Sequence, residues 1–420
     1  MATSTDTAVE HLFRREAGRM AAAVTRLLGL GNLDLVEDVV QDALLAAMEV
    51  WKFRGMPENP AAWLQRAARN RAIDVIRRQR TARRFAPEVA DLLASEWSMV
   101  PTVDSAFLEK EIADGELRLM FALCDARLPA ETQVLVVLKY LCGFGVRELA
   151  QAFLMGEGAV EKRLTRARTT LQAAGGVAEV GDADRLRARL PAVRQVLYLL
   201  FNEGYHGSHP AEVVQEELCA EALRLAELLT AHPVTGVAEV HALLALMCLL
   251  GARLHSRRDA SGELVLLEDQ DRSDWNPQLL ARGFAALDRS ATGEALTETH
   301  IEAAIAAKHA AAPSWQATDW PGIVALYDRL LTLRPSPVVA LNRAVAIGQA
   351  RGPEAGLAAL DAIQGLDRLE DYPFLSATRA DLLRRAGRGT EAVAHYRRAR
   401  ELARSEPERR FFDRRLASCT

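Results

Sequence analysis

Apolar residues recur at helical spacing almost from the start of the chain. Val9, Leu12, Phe13, Met20, Val24, Leu27 and Leu28 predict a helix over about residues 8–29, ended by Gly29 and Gly31. Asp34 reads as the cap of a second helix running to about Phe53, with Val36, Val39, Val40, Ala43, Leu44, Ala47 and Trp51 on its apolar side. A loop broken by Gly55, Pro57 and Pro60 follows. Beyond it, Trp63, Leu64, Ala67, Ala68, Ile73 and Ile76 form the buried side of a third helix.

The pattern loosens over about 86–104, where Pro87 and Pro101 interrupt it, and the stretch reads as a linker holding one short helix. Helices resume over 105–124. Leu128-Pro129-Ala130-Glu131 marks a helix start with proline in the first turn, and Cys142-Gly143-Phe144-Gly145 breaks that helix after Leu141. Two short helices follow over 146–153 and 157–171, joined by a tight turn at Leu154-Met155-Gly156. The pattern fits a helix-turn-helix, and fits a plain helical hairpin equally well. Leu149, Phe153, Val160 and Leu164 make its inner side, and Glu157, Ala159, Glu161, Lys162, Arg163, Arg166 and Arg168 face outward.

A Gly- and Ala-rich acidic linker covers 173–184, before buried helices at 197–201, 220–229 and 240–254. Polar loops at 202–210 and 266–275 interrupt them. From about residue 310 a repeat emerges: Tyr327 and Tyr396 lie 69 residues apart in similar surroundings. That spacing is near twice the roughly 34-residue period of a tetratricopeptide unit. Residues 341–363 and 377–403 each predict a helix, a Gly-containing turn (at Gly352 and Gly387) and a second helix. Ala344, Ala380 and Ala392 suit close helix crossing. Such stacks present a surface to a partner.

The fold class is therefore all-α. A length of 420 residues admits two to four domains, and a chain 50% apolar and 26% charged can fill ordinary cores. The net charge of only −4 gives no global pull toward nucleic acid, so local patches carry the information. Residues 66–84 depart sharply from that average: Arg66, Arg69, Arg71, Arg77, Arg78, Arg80, Arg83 and Arg84 stand against the single acid Asp74. Such a stripe is either a solvated face or a phosphate-binding one. Asn70 and Asp74, four apart, could form a surface hydrogen-bonded pair. The preceding helix is the opposite: Asp34, Glu37, Asp38, Gln41 and Asp42 line its exposed side. Consecutive acidic and basic faces suit a module with one cationic and one anionic partner.

The five cysteines contain no CxxC pair, which suits a reducing cytoplasm and argues against a zinc site or a disulfide framework. The N-terminus lacks the apolar core of a signal peptide, and the most apolar run, 243–250, is too short to span a bilayer. The expectation is a cytoplasmic protein with no membrane contact. Glu203, His206, His209 and His255 can be imagined as a metal cluster, but HxxH in a Gly-rich loop without a second motif reads as a structural loop. Neither GxGxxG, a Walker A sequence nor GxSxG occurs, so no enzyme activity, catalytic residue, metal or cofactor is expected.

With this order established, the first 175 residues resemble a bacterial RNA polymerase sigma factor of the extracytoplasmic-function class. Three blocks carry the match. Glu37-Asp38-Val39-Val40-Gln41-Asp42-Ala43 looks like the second-region helix that docks on the clamp coiled coil of core polymerase. Asn59-Pro60-Ala61-Ala62-Trp63-Leu64, Ala68 to Asp74 and Arg77-Arg78 look like the part that opens and reads the −10 element. Leu128-Pro129 through Leu171 looks like the fourth region, which reads the −35 element, although Phe153-Leu154-Met155-Gly156-Glu157 departs from the usual Leu-Gly-Ile-Pro-Val at the turn. The extension resembles that of a subgroup with fused tetratricopeptide-like repeats, on Phe201 to Tyr205 and Leu267 to Ser273.

The resemblance implies a division into region 2 (1–85), a linker (86–112), region 4 (113–175), a second linker (176–189), a helical extension (190–310) and repeats (311–420). It implies core polymerase, through clamp coiled coil and flap, and promoter DNA as partners. Asp34, Asp38, Gln41 and Asp42 would pair with polymerase cations. Phe53, Asn59, Trp63, Asn70, Arg71, Asp74, Arg77 and Arg78 would serve the −10 element, the loop from 53 to 60 holding a flipped base and Trp63 either walling that site or anchoring the helix. Glu157, Glu161 and Lys162 would reach −35 base edges, and Arg147, Arg163, Arg166 and Arg168 would grip phosphate. The extension would act in cis on the sigma domains or the polymerase, or hold a protein partner. The competing reading is a helix-turn-helix regulator that binds DNA without polymerase, with a repeat domain for partners.

Overall fold

The structure is a computed structural model that describes residues 4–79, 96–153, 155–173, 183–206, 216–259, 263–293, 295–403 and 405–418. Those residues form nineteen α-helices, and the only extended pairing among them is an isolated bridge between Arg258 and Leu264. The chain divides into two compact units, Met1–Leu199 and Leu200–Thr420.

In the first unit, α1 (Ser4–Leu28), α2 (Leu33–Arg54), α3 (Pro60–Gln79) and α4 (Glu96–Ala106) share one core. Met20, Val24 and Leu27 of α1 meet Val36, Val39 and Ala43 of α2 and Leu64, Ala68, Ala72 and Ile76 of α3. Glycines in the left-handed region end the first two helices: Gly29 (φ 81°) donates to Thr25 O at 2.7 Å and Gly55 (φ 77°) to Trp51 O at 3.0 Å. Asp34 is not the cap of α2. It lies in the first turn, where its charge suits the helix dipole, while Asn32 stands at the cap and spends its amide on Leu28 O at 2.6 Å. α4 falls inside the expected linker, yet Met99, Val103 and Ala106 are buried in this core.

The second helical group comprises α5 (Glu109–Leu123), α6 (Ala130–Tyr140), α7 (Val146–Ala152) and α8 (Glu157–Ala173). α5 begins within the span read as linker. Pro129 caps α6 rather than lying in its first turn. α6 is buried almost all round, from Gln133 to Leu138. Ahead of it, the Asp125 carboxylate takes a bidentate pair from Arg127 at 2.8 Å. That hydrogen-bonded guanidinium holds the Asp125 pKa down at about 2.

α9 (Ala183–His206) continues through Asn202–His206, which the sequence reading placed in a loop. In the second unit, α10 (Glu216–Ala231), α11 (Ala238–Gly251), α12 (Pro277–Ser290) and α13 (Glu298–Ala311) form a bundle around α11, whose residues Ala242–Leu249 are all buried. Asn276 caps α12, accepting from Gln278 N at 3.0 Å and Leu279 N at 3.1 Å. The acidic loop 266–275 is tied down by Arg272, which donates to the carbonyls of His309 and Ala312 at the end of α13 and lies 5.2 Å from the Trp275 ring. Arg257 likewise donates to Tyr205 O at the end of α9, with its guanidinium 3.9 Å from the Tyr205 ring centroid. Of the two segments read as family motifs, one thus supplies the arginine that holds backbone, and the other supplies Tyr205, whose carbonyl and ring take Arg257.

Six helices follow, α14 (Trp320–Leu333), α15 (Pro337–Arg351), α16 (Pro353–Asp361), α17 (Pro373–Arg385), α18 (Gly389–Leu402) and α19 (Glu406–Ala417), of which α15–α16 and α17–α18 are the two expected hairpins. The turns at Gly352 (φ 96°) and Gly387 (φ 78°) join α15 to α16 and α17 to α18. α15 and α16 cross so closely that a Cβ on Gly356 would stand 2.9 Å from Gly348 Cα. The last helix closes back on the loop after α11: Arg410 and Arg414 each reach Glu263 at 2.5 Å, and Arg415 reaches Glu268 at 3.3 Å.

His309 packs among Trp315 and Trp320, and burial, aided by Arg253 and Arg272, pushes its pKa from 6.5 down to about 4. The folded unit therefore binds fewer protons than the unfolded chain between those values. The unfolding free energy of the second unit is expected to rise from pH 4 to pH 6.5, by on the order of 3 kcal/mol from this group. Urea unfolding across that range measures the slope, and His309→Phe removes this contribution.

Candidate polymerase and promoter interface

The outer face of α2 combines charge with apolar surface. Asp34, Asp38 and Gln41 are exposed, and Asp42 is half-buried. Along the same face, Leu45 is 56% and Met48 59% exposed. Positions 38, 41, 45 and 48 recur at helical spacing, so acids and apolar groups form one stripe. Sequence reasoning missed Leu45 and Met48. The signal was there: the apolar positions of α2 cover a wider arc than one buried side needs. Exposed apolar groups rimmed by polar ones mark contact surfaces.

α3 starts on a cap. Asn59 Oδ1 accepts from Ala62 N at 3.0 Å, and Pro60 occupies the first helical position. Asn59 thus has a structural duty beside the expected base contact. The loop before it is open: Phe53 is 84% exposed and Met56 is exposed. Trp63 packs edge-on against Trp51 at 5.6 Å between centroids, and Trp51 lies 5.4 Å from Phe13. Of the two roles left open for Trp63, the aromatic chain supports anchoring.

Arg66, Asn70, Asp74, Arg77 and Arg78 lie on the exposed side of α3. Arg71 and Arg69 are paired with acids of neighbouring helices. Arg71 Nε donates to Asp42 Oδ2 at 2.6 Å, joining the expected −10 face to the acidic face, and Arg69 pairs with Asp104 of α4. Asn70 Oδ1 accepts from Arg69 at 2.9 Å, in place of the pair with Asp74. A depression of about 360 Å³ lies here, lined by Gln65, Arg66, Arg69, Asn70, Asp104 and Phe107. Arg80, Arg83 and Arg84 lie outside the described residues.

α7 and α8 form a helix-turn-helix seam. Leu149, Val160, Leu164 and Ala167 are buried, and Arg147, Glu157, Glu161, Lys162, Arg163 and Arg166 are exposed. Arg163 reaches Glu131 at 3.4 Å. Arg168 departs from the expected outward position: it is half-buried and paired with Asp34 of α2. Two groups assigned to different partners therefore meet each other.

His255, one of the imagined metal ligands, lies 3.3 Å from Glu216. No group of three or more His, Cys, Asp or Glu among the described residues could hold a metal ion. Burial pushes the thiols of Cys124, Cys219 and Cys248 up to about 12. No described helix is long and apolar enough to cross a membrane.

Residues 12–82 match the family Sigma-70 region 2, and residues 118–171 match Sigma-70, region 4. The chain is 31% identical over 156 residues to the probable RNA polymerase sigma factor RfaY of Xanthomonas campestris, covering 36% of each chain. It is 26% identical over 143 residues to the ECF RNA polymerase sigma factor SigW of Bacillus subtilis, covering 34% of this chain and 76% of that one. The chain belongs to the extracytoplasmic-function class of the sigma-70 family of sigma factors. In this sigma factor, α1–α3 fall largely in region 2, and α6–α8 in region 4. Residues 189–291 match a family of unknown function (DUF6596). An uncharacterized protein of Rhizobium meliloti is 40% identical over 383 residues, 90% of this chain and 88% of that one. No solved structure matches.

The cap at Asn59 gives a prediction. Asn59→Ala should lower the stability of the first unit by about 1 kcal/mol, while Asn59→Asp should restore it. Chemical unfolding measures both. Equal stability of all three proteins would remove the cap role and leave Asn59 to base contact alone.

Proposed function

We propose that this sigma factor binds core RNA polymerase through the α2 face, reads and opens the −10 element with α3 and the loop before it, and reads the −35 element with α8. The observation that carries this reading is the α2 stripe of Asp38, Gln41, Leu45 and Met48 beside the arginine-rich exposed side of α3. The acids would set register and encounter rate with polymerase cations, and Leu45 and Met48 would supply apolar burial. Arg66, Arg77 and Arg78 would hold phosphate, which positions the duplex without choosing its sequence. Choice at −10 would come from the loop at 53–60 and from Asn70 and Asp74, with a base taken out of the stack at a cost of a few kcal/mol. Choice at −35 would come from Glu157, Glu161 and Lys162 in the major groove. The protein would act in the cytoplasm without a cofactor. Its helical-repeat unit would regulate it in cis or hold a protein partner.

Run-off transcription by core polymerase with the full chain, over a library of promoters, tests the reading. Promoter-specific transcripts are expected. DNA binding without them favours a regulator that acts apart from polymerase. Asp38→Lys and Met48→Asp should each weaken polymerase binding at least tenfold. Arg77→Ala should weaken promoter binding about equally across sequences and lower the salt slope by roughly 0.7 to 0.9. A chain ended at residue 199 tests the second unit, and unchanged transcription and signal response would argue against control in cis.

A further inference from the structure

The second unit gathers arginines without carboxylates. Arg253 and Arg257, which follow α11, both lie against the Tyr205 ring, at 5.5 and 3.9 Å from its centroid. Asn276 N donates to Ala252 O at 2.8 Å, which lays the end of the 266–275 loop beside Arg253. On that loop, Arg272 lies 5.2 Å from the Trp275 ring and donates to His309 O. Burial lowers the pKa of Arg257, Arg272 and His309, and the charge of Arg253 lowers all three further. Among the described residues, no Asp or Glu pairs with Arg253, Arg257 or Arg272.

Like charges drawn out of water repel one another and lose hydration, so such a cluster calls for a negative partner. Helix ends supply part of it. Arg257 takes Tyr205 O at the end of α9, and Arg272 takes His309 O and Ala312 O at the end of α13. Arg253 has no such partner: its guanidinium makes no hydrogen bond or ion pair with any described residue. A second observation is independent of charge. Trp275 is only 3% exposed, and its indole N–H, which can only donate, meets no acceptor among the described residues. His309 Nδ1 is likewise without a partner among them.

We propose that this cluster binds the phosphoryl group of a small molecule, held by Arg253 and the Trp275 N–H within the field of Arg257 and Arg272. A phosphoryl group brings what the cluster lacks. It carries up to about two negative charges and several acceptor oxygens. The planar fork of Arg253 takes two of those oxygens at once, and a further oxygen accepts from Trp275. Arg253, Arg272 and His309 are half-buried, so the cluster can be reached from solvent, while Trp275 is enclosed. A bound phosphoryl group would tie the turn after α11 to the 266–275 loop, and through Arg257 and Arg272 to the ends of α9 and α13. Tyr205, Arg253, Arg257, Arg272 and Trp275 all fall within the residues that match the family of unknown function. The second unit would then respond to a ligand as well as present a surface. The proposal concerns that unit alone and does not depend on the reading of α2 or α3.

Isothermal titration calorimetry of the full chain tests this without polymerase or DNA, so its outcome is separate from that of the transcription assay. The probes are inorganic phosphate, glycerol phosphate, adenosine monophosphate and acetate, at matched ionic strength. At least one phosphate probe is expected to bind at a single site. At a concentration about 100-fold above its Kd, it should raise the unfolding midpoint of the second unit by about 5 °C or more. Arg253→Gln should weaken binding at least tenfold, and Trp275→Phe, which keeps an aromatic ring but removes the N–H, about fivefold. Arg253→Lys, which keeps the charge but loses the fork, should fall between Arg253→Gln and wild type. Arg329→Gln, at an exposed cation elsewhere in the unit, should leave binding unchanged. Circular dichroism confirms that each variant is folded. An organic phosphate that binds at least tenfold more tightly than inorganic phosphate supports the proposal with a metabolite as ligand, and equal affinities support it with free phosphate. Absence of binding by every phosphate probe to the wild-type chain overturns the proposal. Binding that folded Arg253→Gln and Trp275→Phe leave unmoved, or acetate binding as tight as that of phosphate, overturns it as well.

Discussion

Helix α1 is buried by two different partners, and the first unit depends on that. One side sends Met20, Val24 and Leu27 into the core shared with α2, α3 and α4. The other holds Gly18 and Ala22 where the backbones of Leu141 and Gly115 approach. Large side chains serve the permanent core, because each buried one removes much apolar surface from water. Small ones serve the second contact, because only they let two backbones come this close. The same helix therefore carries a packing face and a docking face.

Charge repeats this division. The chain is nearly neutral overall, yet its acids and arginines are sorted onto separate faces. In the folded chain these faces partly consume each other, through Arg71 with Asp42, Lys139 with Glu37 and Arg168 with Asp34. Asp38, Gln41, Arg66, Arg77 and Arg78 stay exposed. The groups in these three ion pairs reach a partner only after exchange. In the second unit, arginine does different work. Arg257 and Arg272 turn inward and satisfy carbonyls at helix ends, which otherwise lack donors.

Helix positions were legible over the first 171 residues and in the hairpins at 341–363 and 377–403, because apolar residues at three- and four-residue spacing report one buried side whatever that side meets. The turns at Gly352 and Gly387 and the break after Leu141 followed from the conformational freedom of glycine. Local order was harder to read at caps. The expected cap, Asp34, stands two residues past the true cap position, which Asn32 occupies. Helix content was underestimated at the polar stretch Asn202–His206, where burial of Tyr205 outweighs weak local propensity; at α4 a short helix was expected, but not the burial of Met99 and Val103.

The sequence by itself determined the order of the helices, the acidic face of α2, the basic face of α3, the helix-turn-helix and the repeat that follows. These are properties of spacing and charge along one element, and they survive without knowledge of neighbours. Only the tertiary structure decided which of those groups are free. It placed Leu45 and Met48 in the open, turned Trp63 toward Trp51 and Arg168 onto Asp34, and put Asn59 on a helix end. The reason is distance along the chain. Arg168 and Asp34 are separated by more than a hundred residues, and no local pattern states that two such distant groups will meet.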